Sequence, residues 1–136
     1  MTLGTRSGIR KRETVLIADD EADVRWLVHT AIDSPLYQLI EASDGQEALN
    51  MIRERRPALV LLDINMPNHS GLNVLTAIRA DPELKDMQVI ILTSSEDHND
   101  IEAGMIAGAD SFVAKPFSQA DLLAHVTEAI EQRVAS

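Results

Sequence analysis

The chain has 136 residues, 45% of them apolar, and no Cys, a length that fits one domain around one core and excludes a disulfide framework, a thiolate metal site and a cysteine nucleophile. Its charge is −10, from 12 Lys and Arg against 22 Asp and Glu, so most of the surface repels a nucleic-acid backbone and no direct nucleic-acid contact is expected. Neither a secretory leader nor an apolar run of the ~18 residues needed to cross a bilayer is present, and with Cys absent the expected setting is a reducing cytoplasm.

In chain order, residues 1–12 form a basic leader expected to be flexible, ahead of a single domain over 13–136. Residues 1–13 carry Arg6, Arg10, Lys11 and Arg12 against Glu13, a net of +3. That leaves 8 basic and 21 acidic residues, a net of −13, for the rest. Short apolar or β-branched runs at Thr14–Ala18, Leu36–Ile40, Ala58–Leu62, Gln88–Leu92 and Ser111–Ala114 read as strands. Three are almost wholly apolar, the mark of strands covered by helices on both faces of a parallel sheet. Between the first two, Val24, Leu27, Val28, Ala31 and Ile32 recur at the spacing of an amphipathic helix, with Trp26 beside the stripe and expected to be partly exposed. Asp44 followed by Glu47, and Ser118 followed by Asp121, read as helix starts, while Gly71 and Gly108 punctuate joins. Gly104 falls inside the fourth helix, where it costs about 1 kcal/mol relative to Ala, so that helix is expected to be the loosest. Leu122, Val126 and Ile130 mark the last. Five strands alternating with five helices predict a doubly wound α/β sheet with right-handed crossovers.

In open sheets of this kind the chemistry lies beyond the carboxyl ends of the strands. Four of those ends carry polar groups: Asp19 and Asp20 after the first, Asp63 after the third, Thr93 and Ser94 after the fourth, Lys115 and Pro116 after the fifth. Three ionised carboxylates brought together repel one another unless a cation lies between them, and Mg²⁺, with its preference for oxygen ligands and retained waters, fits such a set. Asp63 is placed to act as a nucleophile toward phosphorus, with Lys115 and Thr93 supplying an ammonium and a hydroxyl for the transferring oxygens.

The segments LIADDEADVR, LVLLDINMPNHSGL, VIILTSS and GADSFVAKPF jointly resemble the receiver family of two-component response regulators, over about residues 13–132. The resemblance implies a flavodoxin-like sheet of order 2-1-3-4-5. It also implies Asp20 as a direct Mg²⁺ ligand, Asp19 as a ligand through water, Asp63 as phosphoacceptor and ligand, and the Asn65 backbone carbonyl as the remaining protein ligand. It further implies a cis Lys115–Pro116 peptide, a switch in which Thr93 moves inward and Phe112 follows, and influence of Asn65 and Ser95 on the hydrolysis rate. Phe112 lacks a phenolic hydroxyl and so can be buried without a polar partner.

The family's donors are a histidine kinase or a histidine phosphotransfer protein, which would dock near Trp26. Its signal leaves through the surface of the fourth helix, fifth strand and fifth helix, toward a downstream protein, a fused output domain not present in this chain, or a homodimer formed on phosphorylation. Such a protein catalyses only its own phosphorylation and dephosphorylation and is not a turnover enzyme. Two alternatives differ in class. A Mg²⁺-dependent aspartyl-phosphate phosphatase would need a second acid where Asn65 stands, and a pseudo-receiver would keep the fold without the chemistry. His29, His69, His98 and His125 show no spacing of a metal site or triad and are expected at the surface. The chain ends just past the last helix, so either a stand-alone regulator or the N-terminal domain of a longer one is expected.

Overall fold

The structure is a computed structural model and describes residues 12–68, 70–94 and 98–135. Strands and helices alternate as β1 (Glu13–Ala18), α1 (Ala22–Ala31), β2 (Tyr37–Ala42), α2 (Gly45–Arg55), β3 (Leu59–Asp63), α3 (Gly71–Ala80), β4 (Gln88–Ser94), α4 (His98–Ala107), β5 (Ser111–Lys115) and α5 (Gln119–Ala135). All strand pairs are parallel, in the order β2-β1-β3-β4-β5. This is the single flavodoxin-like sheet that the sequence and its resemblance lead one to expect.

Alternation along the strands divides the core into two layers. Leu16, Ala18, Val60, Leu62, Val89 and Ile91 pack with Ile52 of α2 and Val74, Leu75 and Ile78 of α3. Val15, Ile17, Leu59, Leu61, Ile90 and Leu92 pack on the other face with Val28 of α1 and Leu122, Val126 and Ile130 of α5. β3 is buried along its whole length, which is why its sequence is a continuous apolar run rather than an alternating one. Helix starts are fixed locally. Asp44 accepts the Glu47 N–H at 2.8 Å while Glu47 accepts the Ser43 N–H at 2.7 Å, and Ser118 Oγ accepts the Asp121 N–H at 3.0 Å.

Two expectations need correction, and the reading of Gly104 gains a packing reason. β2 spans Tyr37–Ala42 rather than Leu36–Ile40, and Leu36 is exposed. This edge strand buries only Ile40 and Ala42, so its alternation with Gln38 and Glu41 hid its end. Leu27 is exposed although it falls on the α1 stripe; Val28 and Ile32 carry the burial. Gly104, read from the sequence as a cost to the fourth helix, also has a packing role. It is buried, and a Cβ there would run into Ile91 Cδ1, so the glycine admits close packing of α4 on β4. The leader lies outside the described residues apart from Arg12, whose guanidinium donates to the Tyr37 carbonyl at 2.9 Å.

Candidate functional site

Because all strands point the same way, Asp19, Asp20, Asp63, Thr93 and Lys115 reach one end of the sheet from four strand ends spread over most of the sequence. The register sets Asp63 opposite Leu92, and Ser94 opposite Lys115. One carboxylate oxygen from each of Asp19, Asp20 and Asp63 lies within 4.8 Å of the others. Asp19 is 0% exposed and Asp63 6%, whereas Asp20 faces solvent. Thr93, at 1%, is buried beside them at the end of β4.

Lys115 reaches into the cluster: its Nζ stands 2.8 Å from Asp19 Oδ2, 3.7 Å from Asp63 Oδ1 and 3.5 Å from Glu21 Oε1. The approach to Asp19 is an ion pair by distance, yet its angles are poor, and Asp19 Oδ2 stays buried without a hydrogen-bond donor. The other oxygen, Oδ1, accepts the Glu21 N–H at 2.9 Å. Burial works against the Lys115 ammonium, but Asp19, Asp63 and Glu21 outweigh it and hold its pKa above the usual value. Asp63 is pushed up to about 6, first by burial and then by the Asp19 charge. Lys115 and the Asn65 N–H, which donates to Asp63 Oδ1 at 3.3 Å, oppose that rise only in part.

A carboxyl so raised, next to a buried acceptor lacking a donor, is an arrangement that a cation completes. The donors are all oxygens and the set is open to solvent at Asp20, so a hard divalent ion with retained waters fits them. Asp19, Asp20 and Asp63, whose carboxylate oxygens come together, are the residues that would hold it. The loop after β3 is fixed by backbone contact: Gly71 N donates to the Ile64 carbonyl at 2.7 Å. A Cβ on Gly71 would strike the Asp63 carbonyl oxygen and Ile64 Cα, so only glycine lets α3 begin this close to the end of β3.

The Lys115–Pro116 peptide is cis, as the resemblance implies. Phe112 is 39% exposed and Trp26 65%, so the first stands outward and the second lies on the surface of α1. His29, His98 and His125 are at least partly exposed; His69 and Ser95 lie outside the described residues. Sequence reasoning did not single out Glu21 or Arg25. Glu21 stands next to the aspartate pair, so adjacency was its signal. Arg25 had none, because it donates to a backbone carbonyl, that of Asp19, at 2.7 Å.

Residues 15–127 match the response regulator receiver domain. The "Probable transcriptional regulator ycf27" of Guillardia theta is 41% identical over 118 residues, covering 87% of this chain and 45% of that protein. The phosphate regulon transcriptional regulatory protein PhoB of Pseudomonas aeruginosa is 34% identical over 114 residues, covering 84% and 50%. The chain thus spans about half the length of the curated relatives it matches. Among solved structures, the chemotaxis response regulator CheY4 of Vibrio cholerae superposes with a TM-score of 0.81 at 27% identity, covering 88% of this chain and 99% of that one. The chain belongs to the response regulator receiver family of two-component systems. Among the described residues no helix is long and apolar enough to cross a membrane.

Proposed function

We propose that the chain is a phosphorylation switch acting in the cytoplasm, in which Asp63 takes a phosphoryl group from a histidine kinase or histidine phosphotransfer protein with the help of Mg²⁺. The observation that supports this best is the meeting of Asp19, Asp20 and Asp63 with the Lys115 ammonium at the carboxyl edge of the sheet. A carboxylate oxygen of Asp63 bonds to phosphorus as the bond from phosphorus to the donor's imidazole nitrogen breaks. That nitrogen keeps the electron pair and takes a proton, and an acyl phosphate results. Mg²⁺ held by Asp19, Asp20, Asp63 and the Asn65 carbonyl would supply charge neutralisation for the phosphoryl oxygens.

Lys115, placed between Asp19 and Asp63, turns to a phosphoryl oxygen, and the Thr93 hydroxyl donates to another. Water attack at phosphorus reverses the modification, releasing inorganic phosphate and the Asp63 carboxylate. Asn65, two residues past the acceptor, and Ser95, two residues past Thr93 in the sequence, are the positions expected to set the rate of that step. The chain therefore catalyses its own modification and is not a turnover enzyme.

The inward shift of Thr93 vacates space that Phe112 follows into, and this changes the face of α4, β5 and α5. In the present state Met105, Ile106 and Phe112 are exposed there, an apolar surface suited to a protein partner, an output segment or a second copy. The curated relatives are transcriptional regulators of about twice the matched length, so gene control through an output segment is the favoured outcome. Donor docking falls near Trp26, which is exposed on α1. Incubation with acetyl phosphate, with and without Mg²⁺, tests the chemistry by intact-protein mass. A gain of one phosphoryl group that needs both Mg²⁺ and Asp63 supports it, and an equal gain by Asp63→Asn overturns the acceptor assignment.

A further inference from the structure

The turn that carries the aspartate pair is gripped from behind by a residue with no part in the proposed phosphoryl chemistry. Arg25, on α1, donates through Nη1 to the Asp19 carbonyl oxygen at 2.7 Å and through Nε to Glu41 Oε1 at 2.7 Å. Glu41 lies on β2, and its other oxygen stands 2.7 Å from His29 Nε2. Burial opposes the Glu41 charge, but His29 and Arg25 outweigh it and hold its pKa below the ordinary value. The guanidinium is thereby fixed between a strand-borne carboxylate and the loop it holds.

We propose that Arg25 is a positioning residue for the acidic pair, anchored by Glu41 and His29; for its effect on Mg²⁺ this rests on the metal reading above. A peptide group is planar, so a hydrogen bond to the Asp19 carbonyl oxygen limits rotation of the whole 19–20 peptide and with it the range of directions in which both side chains leave the backbone. Groups outside the ligand set that orient the ligands typically govern affinity by 10- to 100-fold. The rigid planar fork of Arg holds two acceptors in a fixed relation, which the rotatable ammonium of Lys does not. Its contribution to global stability is a separate and smaller matter, because the ion pair with Glu41 is solvent-exposed on the Glu41 side.

The test uses metal-free protein first and Mg²⁺ second. By amide hydrogen exchange, Arg25→Ala is expected to speed exchange at the Glu21 amide, which is held by Asp19 Oδ1, roughly tenfold, with the amides of β1 and β3 nearly unchanged. By calorimetric titration, its Mg²⁺ dissociation constant should rise about tenfold or more. Arg25→Lys should recover little of either, and Glu41→Gln should fall between. Native-like exchange at Glu21 in Arg25→Ala overturns the proposal. So does faster exchange spread equally over the sheet, which would mark a purely structural role, and so does full recovery by Arg25→Lys. Local loosening in Arg25→Ala while the native chain takes up no Mg²⁺ would uphold the positioning role and sink the metal reading instead.

Discussion

Asp63 carries a cost in the metal-free fold that can be read in its pH dependence. Its carboxyl is raised to about 6 from 3.8, so the folded chain holds this proton more tightly than the unfolded one. Its contribution is fully present below pH ~4 and is lost as pH rises through about 6. That difference corresponds to at most about 3 kcal/mol. Asp63→Asn should therefore match the native chain near pH 4 and exceed it by about 1–3 kcal/mol at pH 8, in urea denaturation without Mg²⁺. A gap that does not widen with pH contradicts the raised carboxyl. Lys115→Ala should act in the opposite sense. It removes the ammonium from Asp19 Oδ2 and should destabilise the metal-free chain by about 1–3 kcal/mol, with part of the loss recovered by saturating Mg²⁺; an unchanged midpoint would show that the ion pair contributes nothing. These residues were legible in the sequence because their chemistry is unusual at strand ends. The Arg25 contact was not, since a backbone carbonyl leaves no residue-type signal.

Among the elements, the joins at α3 and α4 give opposite expectations for the same substitution. At Gly71 an added methyl meets the backbone of Asp63 and Ile64, which cannot turn aside. Gly71→Ala should cost about 1–3 kcal/mol and slow labelling of Asp63 by displacing the loop. At Gly104 the methyl meets only the end of the Ile91 side chain. A helix gain of about 1 kcal/mol offsets the shift of that side chain, so Gly104→Ala should stay within about 1 kcal/mol of the native chain. Urea midpoints of the two variants decide the matter, and equal losses would contradict it. The helical periods and the Asp44 and Ser118 starts announced their elements directly. The end of β2 was missed because Glu41, a polar residue of this edge strand whose carboxylate meets Arg25 and His29 of α1, interrupts the apolar run. The packing role of Gly104 was not legible, because propensity is local, whereas the approach of α4 to Ile91 is a tertiary fact.

At the scale of the molecule, the sheet joins two core layers through strands buried on both sides. Leu61→Ala opens the layer under α1 and α5, and Leu62→Ala the layer under α2 and α3. Each should cost about 2–5 kcal/mol and still leave one cooperative transition, and separate transitions in circular dichroism and Trp26 fluorescence would show that the layers unfold apart. The parallel order, which the sequence suggested through its apolar strands and the resemblance made specific, is what turns four distant segments into one site. If this convergence makes Asp63 a phosphoacceptor, the modification must sit on its side chain. After reaction with acetyl phosphate and Mg²⁺, borohydride reduction followed by peptide mapping should place the reduced acyl group at residue 63 alone, and omission of Mg²⁺ should abolish it. Reduction at another carboxylate, or an unmodified residue 63 in a chain that demonstrably binds Mg²⁺, would contradict the account.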